Sequence, residues 1–591
     1  MAKIASGTKP DLCTLVPEKR QELTTEGGLD VLRNAGKVTE TVRRLHGAGI
    51  PVSLFINPER ADIDASLASG ADMVETDTFG GTPLVLAEYG LAEEAGEINR
   101  RAAVLARKAC RKYSTTGRPR FAAGSMGPTT KSISVTGGIT FRELEQHFFV
   151  QALGLLEGGV DVLLLETTQD TRNLKAGFLA AERAMAEASR AVPIMVSATV
   201  ETMGTLLAGQ SIEAFYASVM HLPLLSVGLN CGTGPEFMGG HLRSFSQIAK
   251  TRVSCYPNAG LPDEDGNYHV SPDAFSEQMA RFASAGWLNM AGGCCGTTPE
   301  HIRALAGALA GLPPRRAADH HRTFLSGIDF LEITQDNKPV LVGERTNVLG
   351  SRRFKRLVTE GDFETAAELA RSQVQAGAQI LDICLQDPER DEKRDMEAFL
   401  ESAVRVVKDP LMIDSTDSEV IETALTYSQG KAVINSINLE NGEERFDRVV
   451  PLALKYGAAL VVGAIDEDPV QGMAVTRHRK LEIAERSHHL LTGKFGFPEE
   501  DIFFDPLVFP CGTGNESYTG SAEETIEGLA LIKSRFPGCR TILGVSNVSF
   551  GLPASGREVL NSVFLYHATK AGLDAAIVNT EKILRFGLIP E

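Results

Sequence analysis

The sequence predicts an α/β protein built from two (β/α)8 barrels in tandem, and three observations point there. Short apolar runs alternate with longer amphipathic segments along the chain, the pattern of parallel strands joined by crossover helices. The runs fall into two successive sets of eight, within 591 residues, enough for two units of roughly 250 residues each. Polar residues gather at the C-terminal ends of the runs, the rim on which such a barrel builds its site.

In the first half, strands are expected near 51–56, 72–79, 120–128, 160–168, 192–200, 224–232, 252–260 and 287–296. A further strand-like run, 11–16, precedes them without an obvious slot. In the second half they are expected near 339–346, 380–384, 411–415, 432–437, 459–465, 502–508, 540–548 and 575–580. Both sets read as TIM barrels. Between them, 313–338 opens on Pro313-Pro314-Arg315-Arg316 and carries Asp319-His320-His321; it reads as a polar linker with solvated histidines. The expected division is an atypical segment 1–71 contributing to the first barrel, a barrel over 72–312, the linker 313–338, and a barrel over 339–591.

Bulk properties narrow the function classes. Hydrophobic content of 43% and charged content of 23% are those of an ordinary globular protein. A formal net charge of -17 argues against nucleic acid, which is held by neutralising phosphates with Lys and Arg. The first residues lack the apolar core of a signal peptide and no stretch reaches membrane-spanning length, so neither a membrane nor an exported setting is expected. Nine cysteines, an odd number, suit a reducing, cytoplasmic setting with metal or free thiols.

Three of those cysteines stand out. Cys231 ends Val227-Gly228-Leu229-Asn230-Cys231-Gly232, and Cys294-Cys295 lie in Gly292-Gly293-Cys294-Cys295-Gly296-Thr297. Each group follows an apolar run, so the three sulfurs are expected to meet at one rim and hold Zn2+ with a coordination position open. Such a site activates an incoming thiol by lowering its pKa while leaving it nucleophilic. The competing reading, small buried residues, fits poorly because adjacent residues of a strand cannot both face one side. Asn258, in Tyr256-Pro257-Asn258-Ala259-Gly260, is the candidate oxygen donor for the open position; a turn residue after proline is its alternative. Cys255, inside a strand, reads as core. Ser125 and Glu166 complete this rim, with Glu75, Asp77 and Asn230.

The second rim carries Glu344, Asn347, Asp382, Asp414, Asn435, Asp466, Asp505, Asn547 and, just past its strand, Arg557. Carboxylates and amides of this kind suit a flat, donor-rich heterocycle such as a pterin. An acidic metal site is the rival, ranked lower because amides alternate with the acids and Arg557 would repel a cation.

At this point the motifs resemble a family. The stretch Gly228 to Thr298, with Asn258 between, resembles the homocysteine-binding barrel of cobalamin-dependent methionine synthases. The stretch from Gly343 to Asn579, with GERTNVLGSRRF, PLMIDST, KAVINSIN, FDPLVFP and ILGVSNVSFGLP, resembles their methyltetrahydrofolate-binding barrel. The resemblance covers about 72–591. It implies Cys231, Cys294 and Cys295 as zinc ligands with Asn258 as the exchangeable fourth. Ser125 and Glu166 would position homocysteine, and Glu344, Asn347, Asp414, Asn435, Asp505 and Arg557 would contact 5-methyltetrahydrofolate. Asn547, an amide able to donate to N5 as charge develops, would be the catalytic group there.

Two departures accompany it. The family's opening Asp-Gly-Ala-Met-Gly-Thr strand is absent; residues 11–70 instead resemble an internal piece of pyridoxine 5'-phosphate synthase, in the run from Leu15 to Val31, with Glu18, and in Gly49 to Ile56. Residues 51–56 are expected to fill the first-strand slot beside 72–79, leaving 11–16 outside the barrel. Second, these 591 residues contain no cobalamin-ligating Asp-x-His-x-x-G motif, so cobalamin is expected from a cobalamin-binding module or protein in trans. The reading is a methyltransferase of methionine formation. Its rivals are a cobalamin-independent homocysteine methyltransferase using a sulfonium or betaine donor, a vitamin B6 synthase resting on 11–70 alone, and a silent chimeric or truncated binding protein.

Overall fold

The computed structural model describes residues 70–589 together with the backbone of 13–15 and 52–54. The second half is a closed barrel of eight parallel strands in sequential order: β12 (Val340–Asn347), β13 (Ile380–Cys384), β14 (Leu411–Asp414), β15 (Val433–Leu439), β16 (Ala459–Asp466), β17 (Ile502–Asp505), β18 (Arg540–Gly544) and β19 (Ala575–Val578), with β19 returning to β12. Every strand starts within a residue of its expected position. Val342, Ile380, Met412, Val433, Val461, Phe503, Ile542 and Ala575 form one packed interior layer, so the barrel is filled rather than hollow.

The first half is a curled parallel sheet of seven strands: β3 (Met73–Glu75), β4 (Phe121–Met126), β5 (Val162–Thr168), β6 (Ile194–Ala198), β7 (Leu224–Asn230), β8 (Arg252–Tyr256) and β9 (Met290–Ala291). β5 and β6 are buried at every residue, as their unbroken apolar runs require when helices cover one face and the barrel core the other. The helix Phe141–Gly158 shows how sharply the crossovers are bounded. Thr140 and Glu143 form a reciprocal capping box at its start, and Gly159, at φ 91°, ends it.

One expectation is corrected here. Val52–Leu54 (β2) does not join Met73–Glu75; it pairs in parallel with Cys13–Leu15 (β1), Cys13 opposite Val52 and Leu15 opposite Leu54. The seven-stranded sheet keeps β3 and β9 as its edges among the described residues, and a second complete barrel is not formed there. Both runs, β1 and β2, fall within the resembled 11–70 segment. The chain between them is long enough for a parallel crossover, so each finds its own neighbour. The positions of Glu18 and of the helix expected over 58–71 lie outside the described residues.

The segment 313–338 is more ordered than a linker. It forms an antiparallel hairpin, β10 (Phe324–Ser326) with β11 (Phe330–Glu332), whose Leu325 and Leu331 pack into the barrel's interior layer. Its histidines are not simply solvated: His320 Nε2 lies 2.9 Å from the Ile248 carbonyl and His321 Nδ1 lies 3.6 Å from Glu500. A single apolar cluster runs through both domains, from Leu144 and Phe215 to Phe446 and Phe504.

Candidate functional site

The thiol site begins with backbone, not sulfur. β9 stops after two residues because Cys294 N–H turns to donate to Pro257 O at 2.8 Å, while Ala259 N–H donates to Cys295 O at 2.9 Å. Gly296, at φ 75°, completes the turn; a Cβ there would lie 2.2 Å from the Tyr268 ring. Cys231 itself holds φ 56°, a left-handed conformation costly for a side-chain-bearing residue, and Gly232 follows at φ 64°. These distortions turn three thiols toward one point: the Sγ atoms lie within 4.8 Å of one another, with 3.9 Å for both Cys231–Cys295 and Cys294–Cys295. It is the one grouping of three or more Cys, His, Asp or Glu ligand atoms that close among the described residues. Hydrogen bonds from Cys231, Cys294 and Tyr268 push the Cys295 thiol down to about 3, and the same contacts with Cys231 and Cys295 push Cys294 well up.

Asn258 is buried at the same place, and its Oδ1 accepts the Cys295 N–H at 3.2 Å. The amide oxygen therefore already orients the cysteine turn and keeps a second lone pair. Cys255 is fully buried core, as expected.

Behind the sulfurs stands Glu166. Ser125 Oγ donates to its Oε1, and Asn230 Nδ2 donates to its Oε2 at 3.3 Å. Asn230 also closes a reciprocal pair with Thr167, accepting its N–H at 2.9 Å and donating to its hydroxyl at 2.7 Å, so β7 is buckled to β5. Burial first, then the nearby Glu75 carboxylate, hold the Glu166 acid well above the usual carboxylate range. A cation placed beside it would draw off the proton and bind.

The second barrel gathers its expected residues at one mouth. Asn347 Nδ2 donates to Asp414 Oδ2 at 3.4 Å, and Asn435 Nδ2 donates to Asp382 Oδ1 at 3.4 Å. Asp505 caps its own turn by accepting the Leu507 N–H at 2.8 Å. Burial raises Asp414 and Asp505 to about 6 and lifts Glu344 as well. β18 ends at Gly544, earlier than expected, and the short turn Val545–Ser549 that follows presents Asn547 to solvent. Arg557 Nε donates to Ser549 Oγ at 3.2 Å, anchoring it beside that turn. A cavity of about 540 Å³ opens beside Asp414 and Asn435, and one of about 190 Å³ lies between Glu344, Ser546 and Arg557. Asp466, a rim acid in the sequence, is instead paired with Arg479.

Two residues gain weight from the structure. Asp382 is buried between Asn435 and Asp414, and burial followed by the Asp414 charge hold it well above its ordinary pKa. Tyr268 packs on Gly296 and hydrogen-bonds Cys295. Nothing in the sequence near Tyr268 signals this, since the contact crosses a loop.

Residues 63–309 match the family model for homocysteine S-methyltransferases and residues 343–579 that for pterin binding enzymes. Residues 1–110 match the model for the pyridoxal phosphate biosynthesis protein PdxJ, in line with the resemblance read at 11–70. Over almost its whole length the chain is similar to methionine synthase: 38% identical to that of Mycobacterium leprae, over 95% of this chain and 47% of the relative, and 39% identical to that of Mycobacterium tuberculosis, over 91% and 46%. The chain thus spans about half the length of the curated relatives it matches. Among solved structures, the metallated homocysteine methyltransferase MmuM of Escherichia coli aligns with 52% of this chain and 99% of its own at 22% identity, with a TM-score of 0.35.

Proposed function

We propose that this chain is the two-substrate part of a methionine-forming methyltransferase. It binds homocysteine as a thiolate in the first domain and 5-methyltetrahydrofolate in the second. The methyl group passes between them on cobalamin supplied by a cobalamin-binding domain or protein outside these two domains. The observation that carries this reading is the convergence of Cys231, Cys294 and Cys295 on a homocysteine S-methyltransferase domain, in the same chain as an acid- and amide-rich mouth on a pterin-binding domain.

The thiol site fits zinc. Four tetrahedral ligands, with sulfurs about 2.3 Å from the metal, stand about 3.8 Å apart, and two of the sulfur pairs here are at 3.9 Å. Cys231, Cys294 and Cys295 would hold the ion, with Asn258 Oδ1 the exchangeable oxygen. When bound, zinc lowers the pKa of an incoming thiol and keeps its sulfur nucleophilic. The protein does the rest. Glu166, buried and held by the Ser125 hydroxyl, would pair with the substrate ammonium. In the second domain Glu344, Asn347, Asp414, Asn435 and Asp505 take up the pterin's donors and fix its plane. The Asn547 amide donates to N5 more strongly as charge builds there, and so favours departure of the methyl group. Arg557 flanks that edge. The three free thiols suit a reducing compartment, and we place the protein in the cytoplasm; among the described residues no helix is long and apolar enough to cross a membrane.

The test is metal analysis and homocysteine titration of the purified chain, followed by methyl transfer from methyltetrahydrofolate to added cob(I)alamin. One zinc per chain, homocysteine binding and cobalamin-dependent transfer are expected. Cys294→Ala should lose stoichiometric zinc and homocysteine binding while keeping folate affinity. Homocysteine methylation from a sulfonium or betaine donor without cobalamin would replace this reading by the rival one.

A further inference from the structure

We infer that Gln429, a residue of the pterin-binding domain, is a positioning residue for the homocysteine site of the other domain. Gln429 lies in the loop leading into β15, and its side chain crosses the domain boundary. Its Oε1 accepts from Ser134 Oγ at 2.7 Å and its Nε2 donates to Asp170 Oδ1 at 3.0 Å. Both partners belong to the thiol domain. Asp170 lies four residues beyond Glu166 and caps the helix Thr171–Glu187. Its carboxylate also accepts from Ser132 Oγ at 2.6 Å and from Ser134 N–H at 2.8 Å. The loop from Gly127 to Thr136 follows β4, the strand that carries Ser125, and is tied down through this carboxylate and through Asn173, which accepts the Ile133 N–H at 2.9 Å and donates to Lys131 O at 2.9 Å. A narrow space of about 30 Å³ lies between that loop and the acid, lined by Gly127, Thr129, Ser132, Glu166 and Asp170.

The chemistry selects an amide. The node needs an acceptor for a hydroxyl and a donor for a carboxylate on one planar group, which Gln supplies and neither Glu nor Leu can. Asp170 and Gln429 are 2% and 9% exposed, so water does not readily replace a lost partner. Removing the amide takes away one donor to Asp170 Oδ1, which keeps the Arg172 N–H at 2.9 Å and the Ser134 hydroxyl at 3.1 Å, and loosens the Ser134 end of the loop that walls the space beside Glu166. Through this node the second domain holds the loop that follows Ser125 and the turn that follows Glu166.

This role rests on the homocysteine reading, and the experiment separates the two. In the full, zinc-loaded chain, Gln429→Leu should raise the KM for homocysteine by roughly tenfold, the size of one buried hydrogen-bonded group left unpaired. kcat, zinc content and methyltetrahydrofolate affinity should be unchanged. Amide hydrogen exchange over residues 129–136 should quicken. Ser134→Ala, a milder change in the same node, should raise KM in the same sense, and the double variant should be little worse than Gln429→Leu alone, because both act through one contact. A variant matching the parent in KM and in loop exchange, or losing folate affinity in equal measure, overturns the role. A parent chain that binds no homocysteine removes the substrate reading and this role with it; a parent that binds and a variant that binds equally well removes this role alone.

Discussion

Asp414 and Asp505 show how single residues at the mouth of the second barrel are tuned by their surroundings. Each is a carboxyl lifted to about 6 by burial, so each is half-neutral near pH 6 in the empty site. A raised carboxyl pKa means that the folded state holds its proton more tightly than the unfolded chain does. Stability from these groups is greatest below about pH 4 and falls as pH rises through about 6. Ligand binding runs the other way, since pterin N–H donors favour the ionised form. Affinity for methyltetrahydrofolate should therefore strengthen from pH 5 to pH 7 with a midpoint near 6, and Asp414→Asn should flatten the rise in a titration series. At neutral pH the same variant should cost about 1.5–3 kcal/mol of binding, the worth of a hydrogen bond to a charged group. Asn547→Ala should behave differently. Its amide stands at the exposed turn after β18, and in the proposed reaction it would donate to developing charge, so methyl transfer to cob(I)alamin should fall more than binding does, as single-turnover rates set against equilibrium titration would show.

At the scale of elements, both sites depend on strands that stop early. β17 ends at Asp505 because Pro506 has no N–H for the ladder and Leu507 turns to φ 63°. Lys480, on the helix Arg477–His489, holds that turn from beneath: its fully buried ammonium donates to Ala474 O at 2.8 Å, to Leu507 O at 3.4 Å and to Pro506 O. Lys480→Met should strand these carbonyls and loosen Asp505. Denaturant titration is expected to show a loss of about 1–3 kcal/mol for the buried groups left unpaired, with weaker folate binding alongside. On the thiol side the two-residue β9 plays the same part. Its brevity releases Cys294 and Cys295 from the ladder, where adjacent residues would point to opposite faces.

Across the whole molecule, the helix Thr171–Glu187 joins the domains. Arg172 Nε donates to Thr426 O at 2.9 Å, and Lys175 Nζ reaches Ser428 O at 3.3 Å and Gly430 O at 2.5 Å. Burial pushes the Lys175 amine down to about 7. The unfolded chain then binds the extra proton between about pH 7 and pH 10, so stability from this group rises with pH across that window. Urea unfolding at pH 7, 8.5 and 10 should show the rise, and Lys175→Met should remove it.

The alternation of apolar runs was enough to place every strand of the second barrel, because a strand buried on both faces has to be apolar along its length. The convergence of Cys231, Cys294 and Cys295 was also legible, since glycines and cysteines at strand ends have little packing purpose. The N-terminal pairing was not: 51–56 is as apolar as a first strand should be, and only the availability of 13–15 as a partner decides where Val52–Leu54 goes. Nor were the hairpin in 324–332, Tyr268 on Gly296, or Gln429 on Asp170. Strand content and local turns follow from side chains near in sequence, whose burial and backbone preferences act over a few residues. Partners separated by tens or hundreds of positions are chosen by which surfaces the folded domains bring together, and that choice is made only in three dimensions.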